Sequence, residues 1–452
     1  MNFDCTLPCN LRPARHPRFE RCGRVQPAVE EVGEEEQHFD VALRSSQRVD
    51  DASTTLAAPE LEVHEWGTFT SISDGTGVAT KWLARSEDLP SFVYQSQFSG
   101  CRGLRSCIEA FESKSRMRAL VRMETPVIYF YTSAPMDVAL KVGFPTGRMT
   151  EWYPAVWNST PHLLDWGTVR VDPTKNPTLP KETAPNHYYA AREVDAAPVL
   201  VRGQHFSIGG AGCLQREFEF MRGTERHCVT TKQTEAWERY LFYRGVGDFE
   251  PLVNATVTKT EVFVRPTRAL GHALLFERRA DSIGLTSLSL DGTAQAIRRP
   301  ALTATPQDVR KAMVALLLET GLFEKEALAM VKTWDDSWFT EGVRVFYVVP
   351  RAKTDELLPL TISPAPKKLV RTIVGRLELL TPEQLAAMRR DVQAIAPNAD
   401  PSALVEKLEA KHGRFTSPLL ERIQPTLSEP LATTVSTLIS IMTGHVEGQA
   451  LE

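Results

Sequence analysis

Val63-His64-Glu65-Trp66-Gly67-Thr68-Phe69-Thr70-Ser71 is the first stretch of the chain with strand character, and its reading decides the fold. It sets a base, an acid and an indole in three consecutive positions. Side chains of a regular strand alternate between faces, so His64 and Glu65 point apart, and a shared proton or metal ion would need a bulge or turn there. Working outward, Val127-Ile128-Tyr129-Phe130-Tyr131 is a continuous apolar run suited to a strand covered on both faces. Val138, Leu140, Val142 and Phe144 alternate with Asp137, Ala139, Lys141 and Gly143 in the half-buried style. Further strands are predicted at 166–171, 199–202, 236–243, 257–264, 274–277 and 285–290, with Asp291-Gly292 as a hairpin turn.

The predicted class is mainly β (α+β): an antiparallel β-sandwich or jelly-roll-like body with an inserted helical hairpin and C-terminal helices. The hairpin occupies about 305–335. Thr305 caps a helix with Pro306 at its first position, Val309, Met313, Leu316 and Leu317 share one face, and Gly321 ends it. A second helix runs from about Glu324 to Trp334. Val343 to Val349, Leu358 to Ile362 and Leu369 to Leu379 read as closing strands. Beyond residue 380 the chain is helical, with a capping box at Thr381-Pro382-Glu383-Gln384 and a second start at Asp400-Pro401 that stops at Gly413. Three regions result: a tail over 1–58, a β-rich body over 59–380 and a helical region over 381–452.

Composition excludes several functions. The 452 residues are 42% hydrophobic and 24% charged, with a formal net charge of −4, which fits a globular protein and argues against a nucleic-acid binder. No apolar run is long enough to span a membrane. Residues 1–58 carry Arg12, Arg15, Arg18, Arg21 and Arg24, then the acidic cluster Glu30 to Glu36. Such segregated charge with little apolar content reads as a disordered tail, and no signal-peptide core is present. Seven cysteines include no Cys-x-x-Cys. Cys101/Cys107 and Cys213/Cys228 are spaced either for short disulfide loops or to remain free thiols.

Phosphate-loop, nucleophile-elbow and zinc-helix signatures are absent from the sequence. What remains are acids and bases beside aromatic rings: His64-Glu65-Trp66, Glu151-Trp152-Tyr153-Pro154, His187-Tyr188-Tyr189 with Arg192, and Tyr243-Arg244-Gly245. A carboxylate against an indole is partly desolvated and becomes a proton donor near neutral pH, while Trp and Tyr faces form platforms for sugar rings. Two readings stand side by side. In one, Glu65 and Glu151 are an acid and base pair of a hydrolase, His64 orients or shares a proton, and Trp66, Trp152, Tyr153, Arg192 and Arg244 hold a saccharide-like substrate. In the other, the aromatics fill a sandwich core, the carboxylates pair with Arg192, Arg244 or Arg344, and the protein binds a glycan or a protein partner without catalysis. No cofactor is predicted, and a metal ion stays open. Trp334-Asp335-Asp336-Ser337-Trp338-Phe339 reads either as a staple of helix to sheet or as an acidic metal-binding loop.

These motifs, in this order, resemble a bacterial protein family with no established activity. The resemblance covers roughly Val63 to Pro382 and rests on His64-Glu65-Trp66-Gly67-Thr68-Phe69, Glu124-Thr125-Pro126, Tyr129-Phe130-Tyr131, Glu151-Trp152-Tyr153-Pro154, Phe242-Tyr243-Arg244-Gly245, Trp338-Phe339 and Val374-Gly375-Arg376. It implies a periplasmic or secreted protein, with His64 soon after a signal peptide. This N-terminus departs from that pattern, which leaves a cytoplasmic location open.

Overall fold

The opening strand, Glu62–Ser73, lies at the centre of a ten-stranded sheet. It is flanked by Val121–Tyr131 on one side and by the closing strand, Lys368–Leu379, on the other. The pairing with Val121–Tyr131 is antiparallel, whereas the pairing with the closing strand is parallel over twelve residue pairs, from Glu62 opposite Lys368 to Ser73 opposite Leu379. This is a computed structural model, and it describes residues 60–84, 89–95, 117–209, 218–222, 225–396 and 399–444. The tail predicted over 1–58 and Cys101, Cys107 and Cys213 lie outside the described residues.

The protein is mainly β, with mostly antiparallel sheets and C-terminal helices. Beyond the closing strand, the large sheet continues through Gly342–Val349 and Ala269–Arg279 to Ser282–Asp291. Beyond Val121–Tyr131 it continues through Leu241–Gly247 to Gly147–Tyr153. A second sheet, of seven strands, contains Met136–Gly143, Leu163–Val171 and Val199–Gly209, and a third has three strands. Alternation gives the large sheet two apolar faces. Val63, Ile128, Tyr243 and Val345 meet Val138, Leu140, Trp166 and Val201 of the second sheet in one core. Trp66, Val127, Phe242 and Phe346 point the other way and are covered by the helical hairpin. The order is therefore sheet, sheet, helices, and a strand buried on both faces explains why its sequence loses simple alternation.

The hairpin helices are Pro306–Leu318 and Glu324–Trp338. Thr305 accepts from the Asp308 backbone N–H and Asp308 accepts from Thr305, a complete capping box, and Val309, Met313, Leu316 and Leu317 are buried. Gly321, at φ +93°, supplies the left-handed turn between the helices. The C-terminal helices start where predicted, with Thr381 and Asp400 as caps. They are more than surface helices: Met388, Leu408, Leu420 and Leu438 bury one another with Ile72 and Trp82 from the body.

Four local predictions are corrected. The strand expected over 236–243 is two strands, ending at Glu238 and resuming at Leu241. That over 257–264 is a hairpin of Val253–Val257 with Glu261–Pro266. Asp291-Gly292 turns the chain, with Gly292 at φ +101°, but into Gln295–Arg298, which belongs to the three-stranded sheet. Leu358 follows a short helix, Arg351–Leu357, that the strand reading missed.

Candidate functional site

The step from Tyr243 to Arg244 separates the predicted site residues. Tyr243 faces the second sheet, and its hydroxyl donates to Glu65 Oε1 (2.5 Å). Arg371, beside Glu65 in the parallel register, donates Nε to Glu65 Oε2 (2.5 Å) and Nη1 to Asp355 Oδ1 (2.7 Å). Glu65 and Arg371 have no exposed side-chain surface. Burial opposes the Arg371 charge, and Glu65 outweighs it, holding the guanidinium pKa above its ordinary value. Burial, reinforced by Glu65, also raises the Tyr243 phenol. This is a structural ion pair inside the sandwich.

Arg244 points to the opposite face. Its Nε and Nη2 donate to Thr125 Oγ1 (3.1 and 2.9 Å), and Nη2 lies 3.0 Å from His187 Nε2. Its guanidinium stands 5.5 Å from the Phe242 ring and 5.9 Å from the Trp334 ring. Glu151 is its in-register partner on the adjacent strand, so Glu151 shares the Arg244 side of the sheet and accepts from Thr150 Oγ1 (2.5 Å). The acid and base pair is therefore corrected: Glu65 and Glu151 occupy opposite faces and do not converge.

Other candidates are also reassigned. His64 does not orient Glu65. Its Nδ1 meets Glu326 Oε2 and its Nε2 meets Glu62 Oε1, both at 2.7 Å, which clasps the opening strand to the second hairpin helix. Trp66 is fully buried under that helix and Trp152 is buried in the sandwich core, so neither is a substrate platform. Arg192 grips Glu238 through Nε (2.9 Å) and Nη2 (2.5 Å) and the Pro180 carbonyl through Nη1 (2.8 Å). It lies 5.4 and 5.0 Å from the Tyr188 and Tyr189 rings, which makes it a brace for the helical turn His187–Arg192. Burial raises the Glu238 pKa despite Arg192. Asp335 pairs with Arg310 (2.5 Å), and among the described residues no three His, Cys, Asp or Glu side chains are grouped to hold a metal ion.

On the helix-covered face of the large sheet, Arg244 lies beside Thr125, His187 and the Trp334 ring. Thr125 sits at φ +44°, a conformation that costs a β-branched residue about 1–2 kcal/mol. It lies where the register between the opening strand and Val121–Tyr131 shifts, and where Gly67 is required because a Cβ there would come 2.9 Å from Pro126. On the same face Trp66 Nε1, Trp334 Nε1 and Thr68 Oγ1 are buried with no hydrogen-bond partner among the described residues. His187, which packs 5.8 Å from the Trp334 ring, is half-buried. Tyr153 stacks near half-buried Phe92 and Tyr94 at the same edge. The sequence flagged His187 and Thr125 only as members of motifs. Arg371 and Glu326 carried no local signal, because they reach Glu65 and His64 across 306 and 262 residues, and Asp355 meets Arg371 only through the short helix Arg351–Leu357 that strand periodicity does not show.

A second buried charge cluster lies towards the C-terminal helices. Arg344 Nε donates to Glu378 Oε2 (2.9 Å), and Arg376 contacts Glu378 and donates to the Ser337 hydroxyl (2.9 Å) and carbonyl (2.6 Å). Arg414 reaches the same hydroxyl (3.2 Å). Burial opposes the Glu378 charge, but Arg344, Arg376 and Arg414 outweigh it and hold its pKa down to about 2. Burial and the nearby Arg414 press Arg376 down to about 9. The cluster ties the large sheet to the end of the hairpin and to the helical region.

Compared with known proteins, the chain matches no family model and no curated protein.

Proposed function

We propose that this is a ligand-binding β-sandwich protein whose site, between the large sheet and the second hairpin helix, takes a ligand bearing an oxyanion group such as a carboxylate, sulfate or phosphate. The observation that carries this reading is the excess of donors. Arg244, aligned by Thr125 and in register with Glu151, lies 5.9 Å from the Trp334 ring, and on the same helix-covered face Trp334 Nε1, Trp66 Nε1 and Thr68 Oγ1 are buried with no hydrogen-bond partner among the described residues. Buried polar groups are normally satisfied, and a planar guanidinium with indole and hydroxyl donors suits an acceptor-only group. His187, in contact with Arg244, is the half-buried member of the group. Hydrolysis by Glu65 and Glu151 finds no support in their placement, so binding is favoured over two-carboxylate catalysis.

The test is thermal unfolding of the full chain against rising phosphate, sulfate and citrate at constant ionic strength. A ligand that binds only the folded state raises Tm with concentration, by about 2.7 kcal/mol of stability at a hundredfold excess over Kd. The Trp334→Phe variant keeps the ring and loses the N–H donor, so its rise should shrink. Absence of a saturable rise with any of the three anions in the parent protein would overturn the reading.

A further inference from the structure

Trp157 is half-exposed, at 51%, in a protein whose other described tryptophans, apart from Trp237, are buried. Its loop is fixed on three sides. The Trp157 backbone N–H donates to the Asp165 carbonyl (2.8 Å), Gln204 N–H donates to the Val156 carbonyl (2.8 Å), and the buried Trp166 indole donates to the Pro154 carbonyl (3.1 Å). Gly203 leaves room for this loop, since a Cβ there would come 2.1 Å from the Ala155 carbonyl oxygen. Gly167, at φ +63°, lies beneath the indole, and a Cβ there would sit 3.4 Å from Trp157 Cβ. A large apolar ring is thus held towards water by a rigid support, and such preorganisation lowers the entropic cost of binding.

The surface beside it is polar and balanced. Asn158, Asp165, Lys141 and Thr361 are directly opposite one another on four adjacent strands of the second sheet. Their neighbours Ser159, Leu164, Trp166, Leu140 and Val142 are buried inside, so alternation turns this row to the outer face, where Asn158, Lys141 and Thr361 are exposed and Asp165, only 9% exposed, is held by Lys141 and the Gly167 N–H. Lys141 pairs with Asp165 (2.8 Å), and along the same face Arg170 pairs with Asp137 (3.1 Å). Each charge is matched, which leaves a row of donors and acceptors without a net field.

We infer that this outer face is a binding platform for a neutral oligosaccharide, with Trp157 stacking on a sugar ring and the row from Asn158 to Thr361 bonding hydroxyls. A sugar ring offers an apolar C–H face edged by hydroxyl groups, which is the complement of an amphipathic indole beside paired amide, carboxylate, ammonium and hydroxyl groups. Charge balance disfavours a polyanion. The site is on the sheet that does not carry Arg244, so it stands or falls apart from the oxyanion reading.

The experiment is affinity electrophoresis and calorimetry of the full chain with neutral glucan, xylan, mannan and chitin oligosaccharides, beside an acidic uronan at two salt concentrations. The parent should bind at least one neutral glycan with little salt dependence. Trp157→Ala should weaken that binding about tenfold or more, as loss of an aromatic hot spot does, while Trp157→Phe stays within a few-fold and both variants keep the parent's circular dichroism and Tm. Binding to no neutral glycan, binding only to the uronan with strong salt dependence, or equal binding by Trp157→Ala would each overturn the assignment. So would sedimentation showing that the face joins two copies of the chain, with Trp157→Ala monomeric and no glycan bound.

Discussion

Glu65 and Glu151 lie on opposite faces of one sheet, Glu65 held between the two sheets by Tyr243 and Arg371, and Glu151 paired in register with Arg244 on the face covered by helices. The sheet backbone stands between them. No rotamer change brings the two carboxylates to one substrate.

The Glu65–Arg371 pair makes a stability prediction. Glu65→Gln leaves Arg371 buried with only the half-exposed Asp355 as a counter-charge, and breaking one side of a buried pair costs about 3–5 kcal/mol. Replacing both, as Glu65→Leu with Arg371→Met, should recover most of that loss, because the desolvation cost of both charges disappears. Urea unfolding of the three proteins checks this. A single variant as stable as the parent would show that the pair contributes nothing.

Leu316→Ala should destabilise the protein by about 2–5 kcal/mol. Leu316 is buried with Val309 and Met313 against the large sheet, so truncation leaves a cavity at a helix-to-sheet contact. A change within about 0.5 kcal/mol, the size of a surface substitution, would mean that the hairpin does not depend on this face.

Acid should weaken the seam between the sheet and the C-terminal helices. Glu378, ordinarily near 4.5, is held to about 2 in the folded protein by Arg344, Arg376 and Arg414. A depressed carboxylate contributes stability that is complete above pH 4.5 and lost as pH falls towards 2. Glu378→Gln should flatten the stability profile in that window while lowering stability at pH 7. A parent and variant with parallel acid limbs would assign the acid sensitivity elsewhere.

Much of the fold was legible because its signals are local. The Thr305, Thr381 and Asp400 caps, the stripe from Val309 to Leu317 and the alternation through Val138 to Val142 each act within a few residues. Even the divergence of His64 and Glu65 follows from strand geometry alone. The site was less legible because it is made by pairing. The parallel register that sets Arg371 beside Glu65 joins residues 306 apart, and no residue near Glu65 announces it. The break between Glu238 and Leu241 was hidden by continuous strand-forming residues, and Tyr240 there is fully buried among Tyr129 and Tyr188 rather than exposed in a turn.

Thr125 offers the sharpest check on the Arg244 site, because its backbone strain and its hydrogen bonds act in opposite directions. At φ +44° a glycine relieves about 1–2 kcal/mol of strain. The same change removes the hydroxyl that accepts from Arg244 Nε and Nη2, and bonds to a charged group are each worth about 1.5–3 kcal/mol. Thr125→Gly should therefore be less stable than the parent, and it should lose most of the anion-dependent rise in Tm as Arg244 loses its alignment. Thr125→Ser keeps the hydroxyl and sheds the branched methyl, so it should match the parent in stability and keep the anion response. If Thr125→Gly proves more stable than both and binds anions equally well, the strained residue does not serve Arg244, and the donors on this face are structural.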